Sequence, residues 1–104
     1  MINKYEMTLS KFDVYPKETK PWIYFLGLSG EVGELCEKYK KIVRDGGDLE
    51  RNHTMLMELG DVLWYLTRIA SQCGFSMGEV IDKNLEKLND RLARNVIHGN
   101  GDTR

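Results

Sequence analysis

Residues 27–35, GLSGEVGEL, and residues 58–66, ELGDVLWYL, decide the fold, because each joins a pair of acids to an apolar helical pattern. The pairs are Glu31 with Glu34 and Glu58 with Asp61, and 23 residues separate them. Residues three apart on an α-helix lie on one face with Cβ atoms about 5–6 Å apart, so each pair suits one cation. Unpaired carboxylates are costly to bury, and oxygen ligands are those that Mg²⁺ and Mn²⁺ prefer. The two stretches therefore predict a divalent-metal site between two helices.

The apolar spacing on either side of these stretches predicts four helices and no strand. The second helix is expected from 20 or 21 to 44 and the third over 49–73, and these two long helices carry the acid pairs. A short first helix is expected over about 3–12 and a fourth over about 76–93. Gly46, Gly47 and Gly74 are typical of helix ends, and Ser76 with Glu79 has the pattern of a capping box.

The fold class predicted from this pattern is all-α, a helical bundle whose two long central helices carry the metal site. The third helix is apolar around much of its circumference, so it needs more partners than a small monomer offers. We therefore expect residues 1–104 to form one domain, with a four-helix core completed by dimerisation. A homodimer or a homotetramer built as a dimer of dimers is the expected assembly.

Composition and charge exclude several classes of function. The net charge is −1 and there is no basic block, which argues against duplex nucleic acid as a partner. The longest apolar run, residues 22–28, is too short to span a bilayer, and residues 1–11 lack the pattern of a signal peptide. Cys36 and Cys73 are far apart without a CxxC motif, so they are predicted to be reduced and partly buried rather than a disulfide or zinc site. A cytoplasmic protein with no membrane partner is expected.

Four carboxylates that converge between two helices suit chemistry at phosphorus. A divalent ion neutralises phosphate oxygens and lowers the pKa of an attacking water, and basic side chains hold the remaining phosphates. Each of four helical glycines costs about 1 kcal/mol of helix stability relative to alanine. That cost indicates close approach of backbone, metal or ligand at these positions, which are Gly27, Gly30, Gly33 and Gly60.

Four segments of the chain together resemble the MazG-type nucleotide pyrophosphohydrolases, which belong to the all-α NTP pyrophosphatase superfamily. They are GLSGEVGEL at 27–35, Lys40-Lys41, ELGDVLWYL at 58–66, and Asn84-Leu85-x-Lys87-Leu88-x-x-Arg91. The similarity covers about residues 20 to 104. Its last part, Gly99-x-Gly101-Asp102-x-Arg104, is similar to the tail of a short, single-domain branch of that family.

The resemblance implies Mg²⁺-dependent hydrolysis of a (deoxy)nucleoside triphosphate to the monophosphate and pyrophosphate, in nucleotide pool sanitation, with Mn²⁺ as a possible substitute. It implies four metal ligands, Glu31, Glu34, Glu58 and Asp61. Glu31 or Glu34 would also orient or deprotonate the attacking water, and Glu34 is favoured.

The resemblance also implies a set of substrate contacts. Lys87 and Arg91 would meet the phosphates, with Lys41 as a further phosphate contact. Asn84 would hydrogen-bond the sugar or base, and Tyr65 would pack against the sugar or base.

Other interpretations of the same residues stay open. The same fold could act on dUTP, dCTP or phosphoribosyl-ATP, or the chain could be a non-catalytic helical dimer that binds nucleotides or a protein. A di-iron carboxylate site needs two Glu-x-x-His motifs, and only Glu50-Arg51-Asn52-His53 provides one. Lys41 could equally be a solvated surface residue and Tyr65 a core residue.

Overall fold

The computed structural model describes residues 1–95 and 101–102. Within these residues there are no strands, and two short 3-10 turns, Leu9–Phe12 and Lys17–Thr19, precede the second of four α-helices. The helices are α1 (Ile2–Thr8), α2 (Trp22–Arg44), α3 (His53–Gln72) and α4 (Met77–Ala93). The predicted all-α class, with two long central helices, is confirmed.

The central helices α2 and α3 pack against each other in antiparallel orientation. Three neighbouring pairs define the register: Tyr24 with Arg68, Gly27 with Tyr65, and Glu34 with Glu58. Across these three pairs, the residue numbers increase along α2 and decrease along α3. This register brings the two acid pairs to the same level of the bundle.

Helix ends follow the predicted local chemistry. Gly46 has φ +70° after α2 and Gly74 has φ +81° after α3, a region that glycine adopts without a Cβ penalty. At the start of α4, the Glu79 amide donates to Ser76 Oγ over 3.1 Å, and the Ser76 amide donates to Glu79 Oε2 over 2.8 Å. The predicted capping box is therefore present.

Two of the predicted helix boundaries were wrong, the start of the third helix and the end of the first. The third helix begins at His53 rather than residue 49, because the Asn52 side chain accepts a hydrogen bond from the Met55 amide (3.2 Å) and caps the helix there. The first helix is α-helical only over Ile2–Thr8 and continues to Phe12 as a tighter 3-10 turn.

The prediction that the cysteines are partly buried was also wrong, because Cys36 and Cys73 are both free and exposed. Cys36 lines an open groove on α2 with Tyr39, Lys40 and Val43. Among the described residues, no helix combines the length and the apolar character needed to cross a membrane.

The core of the single chain is narrow, and much of the apolar face of α4 is exposed. The buried apolar residues of the described chain are Leu9, Tyr24, Ala70 and Met77. Met77 and Ile81, at the start of α4, share a cavity with Leu63 and Thr67 of α3. Farther along α4, three leucines on one face are exposed, and we call them the α4 stripe: Leu85, Leu88 and Leu92.

Candidate functional site

Three of the predicted metal ligands come together between α2 and α3. Glu31, Glu34 and Glu58 each offer one carboxylate oxygen, and these oxygens lie within 4.8 Å of one another. We call these three residues the acid cluster. One oxygen of Glu31 and one of Glu58, both Oε2, are buried without a hydrogen-bond partner. An unpartnered buried carboxylate oxygen is costly. A divalent cation bound here would be coordinated by the carboxylate oxygens and would balance their charge.

The electrostatics of the acid cluster point the same way. Burial raises the pKa of Glu31, and the charges of Asp61, Glu34 and Glu58 raise it further. All the charges that shift this pKa are therefore acidic. A cation bound among them would relieve the repulsion and favour the ionised form of Glu31.

Asp61, the fourth predicted ligand, lies beside the acid cluster rather than within the group of three. It lines a cavity of about 250 Å³ together with Glu31. On α1, burial raises the pKa of Tyr5, and the charge of Asp61 adds to that effect. The negative charge of Asp61 thus extends the acidic region from the acid cluster towards Tyr5 on α1.

Tyr65 packs closely against α2 at Gly27. A Cβ atom at position 27 would approach Cδ1 of the Tyr65 ring to 2.6 Å, so only glycine leaves room for the ring there. The close approach indicated by the helical glycines is thus found at Gly27. A Cβ at Gly30, Gly33 or Gly60 would meet no described atom within 4 Å.

The hydroxyl group of Tyr65 is held by the N-terminal part of the chain. The hydroxyls of Tyr65 and Tyr15 lie 2.6 Å apart and share a hydrogen bond. This bond, then burial, and then the charges of Tyr15, Glu31 and Asp13 raise the pKa of Tyr65 to about 12. Tyr65 therefore stands beside the acid cluster as a neutral phenol at ordinary pH.

A part of the site that the sequence did not predict comes from residues 9–20, which we call the N-terminal segment. Phe12, Val14 and Tyr15 line the same 250 Å³ cavity as Glu31 and Asp61. From the sequence, residues 13–16 were predicted only to end a helix, because the residue before the proline at 16 disfavours helical geometry. The aromatic residues around that proline carried no periodic pattern that would have assigned them to a site.

Asp13 anchors this segment to the central helices. Its side chain is only 2% exposed and forms ion pairs with Arg68 (2.9 Å) and Lys20 (3.5 Å). It also accepts a short hydrogen bond from the Tyr24 hydroxyl. Burial alone would raise the pKa of Asp13, but the hydrogen bonds from Tyr24 and the Tyr15 amide and the two cations outweigh burial and lower it.

The structure places Lys87 and Arg91 together on α4. Both donate to the same atom, Oδ1 of Asp102, over 2.9 and 3.0 Å. Arg91 is buried, whereas Asp102 is exposed. The hydrogen bonds from Lys87 and Arg91 lower the pKa of Asp102. The predicted tail residues Gly99 and Arg104 lie outside the described residues.

The other two predicted substrate contacts occupy separate positions. Asn84 lines a cavity of about 580 Å³ along α4, together with Phe75 and Lys87. Lys41 is exposed near the end of α2. Hydrogen bonds from Lys40 and Arg44 lower the pKa values of Glu37 and Asp45, and the charge of Lys41 adds a smaller effect. Tyr65 is thus the predicted substrate residue that the single chain brings beside the acid cluster.

Comparison with known proteins gives two matches. A family model described as the MazG nucleotide pyrophosphohydrolase domain matches residues 20–95. The chain is also 43% identical over 82 residues to the Gene 37 protein of Mycobacterium phage L5, a match that covers 76% of this chain and 72% of that protein. No solved structure matches significantly. The region matched by the family model includes the acid cluster and α4, but it begins after Asp13 and Tyr15.

Proposed function

The chain belongs to the MazG nucleotide pyrophosphohydrolase family, and from that premise we propose that it hydrolyses a (deoxy)nucleoside triphosphate to the monophosphate and pyrophosphate. The observation that carries the proposal is the pair of buried, unpartnered carboxylate oxygens on Glu31 and Glu58. These two oxygens have no positive partner within the chain's described residues. A divalent ion bound in the acid cluster would supply one. The role that fits this reaction is nucleotide pool sanitation.

Glu31, Glu34, Glu58 and Asp61 would hold Mg²⁺, and Mn²⁺, which shares its preference for oxygen ligands, would substitute. When bound, the ion neutralises phosphate charge and acidifies an attacking water. Within the acid cluster, Glu34 is the exposed member. Its accessible carboxylate is therefore the one we assign to accept the proton of the water, while Glu31 helps to orient it.

Substrate contacts are assigned to the polar residues of α4 and to Tyr65. Lys87 and Arg91 already hold one carboxylate oxygen between them, at 2.9 and 3.0 Å, which is a spacing that also suits a phosphate oxygen. Asn84 would hydrogen-bond the sugar or base, and Tyr65 would pack against it. Lys41 is proposed as a further phosphate contact.

The single chain exposes too much surface to be complete, which supports a homodimer or a dimer of dimers. Its accessible surface is 8047 Å², whereas a compact monomer of this mass exposes about 6,000 Å². Its radius of gyration is 16.6 Å, against about 13 Å for a compact domain of 100 residues. The excess surface is comparable to one subunit's share of an obligate dimer interface. We propose that the α4 stripe lies in that interface.

The same arrangement would supply the missing positive charge. Because the α4 stripe is exposed in the single chain, we propose that dimerisation covers it and brings Lys87 and Arg91 beside the acid cluster of the second subunit. Each site would then combine carboxylates of one chain with cations of the other.

The reaction is tested by separating the products of a nucleoside triphosphate panel, including dUTP, dCTP and phosphoribosyl-ATP, with and without Mg²⁺. The expected products are monophosphate and pyrophosphate, formed only with Mg²⁺ or Mn²⁺. Glu34→Gln should lose turnover, whereas the control Glu37→Gln, one turn along α2 and paired with Lys40, should keep it. Absence of turnover on every substrate would overturn the proposal.

The shared site is tested by mixing two inactive proteins, Glu58→Gln and Arg91→Ala. If each site is shared by two chains, half of the dimers are mixed and each has one intact site, so about a quarter of wild-type activity returns. Sites built within one chain would give no recovery. As a separate check on the interface, Leu85→Glu should sediment as a monomer while the adjacent control Glu86→Gln should not.

A further inference from the structure

We propose that Asp13 is a positioning residue for the nucleoside end of the substrate, because it fixes the N-terminal segment as one wall of the cavity beside Glu31 and Asp61. The inference rests on the proposed function, since it assumes that the acid cluster handles the phosphates of a nucleotide. It concerns residues that precede the region matched by the family model, residues 20–95.

The cavity is built by two parts of the chain that are remote in sequence. Phe12, Val14 and Tyr15 form one side, and residues of α2 and α3 form the other: Glu31, Asp61, Trp64 and Tyr65. Its volume of about 250 Å³ is below the range of about 300–1,000 Å³ that holds a drug-sized ligand. It therefore suits a part of a nucleotide, and its aromatic lining suits a base or sugar rather than a phosphate.

Leu9 anchors the start of the N-terminal segment by apolar packing, but the part that lines this cavity is held mainly by polar contacts. Phe12 and Val14 are 63% and 86% exposed, whereas the Asp13 side chain between them is 2% exposed. Arg68 of α3 binds Asp13 Oδ2 through both Nε (3.1 Å) and Nη2 (2.9 Å). Since Phe12 and Val14 bury little surface, the position of the wall depends strongly on the Asp13 carboxylate, together with the contacts of Tyr15 to Tyr24 and Tyr65.

A chain of hydrogen bonds connects Asp13 to the side of the site. Asp13 Oδ1 accepts from the Tyr15 amide (3.2 Å), and the Tyr15 hydroxyl shares a hydrogen bond with the Tyr65 hydroxyl (2.6 Å). The Tyr65 ring in turn fits against Gly27, one turn before Glu31. A displacement of Asp13 would therefore move the cavity wall and release the Tyr65 hydroxyl without touching a carboxylate of the acid cluster.

The kinetic test compares Asp13→Asn and Tyr15→Phe with the control Glu18→Gln, an exposed acid of the same segment. Asp13→Asn should raise KM for the preferred triphosphate about tenfold while kcat stays within about twofold of wild type. Tyr15→Phe, which removes only a hydroxyl, should raise KM less, and the control should match wild type. The thermal stabilisation of each protein by Mn²⁺ alone should be unchanged, because the acid cluster is intact.

A second measurement follows the wall directly and needs no activity. In a Trp22→Phe background, Trp64 is the single remaining tryptophan, and it lines the cavity. Acrylamide should quench its fluorescence more strongly in Asp13→Asn than in wild type or Glu18→Gln.

The outcomes separate this inference from the proposed function. If wild type turns over no triphosphate, the proposed function fails, and the claim that Asp13 fixes the wall is decided by the quenching alone. If wild type is active but Asp13→Asn keeps its KM, or loses kcat at an unchanged KM, the positioning role is overturned. Unchanged quenching of Trp64 in Asp13→Asn would overturn the placement of the wall by this residue.

Discussion

The acid cluster lies between α2 and α3, and Asp13 of the N-terminal segment packs against the same two helices, but the surroundings of these acids are opposite. In the acid cluster, Glu31 and Glu58 each bury an oxygen that has no partner, and the pKa of Glu31 is raised first by burial and then by neighbouring acids. The Asp13 side chain is only 2% exposed, yet Arg68, Lys20 and Tyr24 surround it and its pKa is lowered.

The difference separates a carboxylate that stabilises the fold from carboxylates whose negative charge is left unbalanced. A buried acid surrounded by donors contributes stability, whereas buried acids that face one another cost stability until a cation binds. Removing charge should therefore have opposite effects on the metal-free protein in the two regions.

Glu58→Gln should produce the largest effect, on activity. As a proposed metal ligand it should cost at least about 100-fold in kcat, since even residues that only orient ligands often cost 10–100-fold. The same change should raise the unfolding free energy of the metal-free protein by about 1 kcal/mol by relieving repulsion. Assays in Mg²⁺ and thermal unfolding in EDTA check both, and a variant with normal activity would show that the metal site is misplaced.

Asp13→Ala should produce the opposite effect on stability. It leaves Arg68 and the fully buried Tyr24 hydroxyl without their acceptor, so the unfolding free energy should fall by about 2–4 kcal/mol. Urea unfolding in EDTA measures the change, with Glu18→Gln as the control of equal charge. A stability equal to wild type would mean that the Asp13 contacts do not hold the segment.

Gly27→Ala and Gly30→Ala test the packing between the two regions. An alanine at 27 would collide with the Tyr65 ring, so we expect a loss of about 1–3 kcal/mol of unfolding free energy from overpacking. An alanine at 30 meets no described atom within 4 Å and should gain about 0.5–1 kcal/mol from helix propensity. Thermal unfolding of the two variants compares them, and equal shifts would contradict the close approach at Gly27.

The pH dependence of stability should differ in sign between the regions. The lowered pKa of Asp13 means that its contribution, full above about pH 4, is lost as the pH falls through its folded-state value. The raised pKa of Glu31 means that its penalty in metal-free protein is present at neutral pH and disappears as the pH falls towards about 4.5.

Urea unfolding of wild type, Glu31→Gln and Asp13→Asn in EDTA measures this dependence. At neutral pH, Glu31→Gln should be more stable than wild type and Asp13→Asn less stable. Both differences should close on acidification, that of Glu31→Gln first. Differences of the same sign at neutral pH would remove the contrast between the two regions.

Much of the helical frame could be predicted from the sequence because its signals are local. The acid pairs at Glu31 and Glu58 lie at helical spacing within apolar stretches, and Gly46, Gly74 and Ser76 mark helix ends through their own backbone chemistry. The start of α3 was missed because Asp48 is also a residue type that caps helices, and the apolar Leu49 resembles a continuation of the helical pattern.

The sequence by itself determined an all-α chain whose two long helices each present an acid pair, because helical periodicity depends on residues three and four apart. Only the tertiary structure decided that Glu31, Glu34 and Glu58 form the close group, and that Asp13 and Tyr15 belong beside them. The hydrogen bonds of Tyr15 with Tyr65 and of Arg68 with Asp13 join residues 50 and 55 positions apart. Such contacts form only when α2 and α3 pack together and the N-terminal segment folds back onto them. A local sequence pattern therefore cannot predict them.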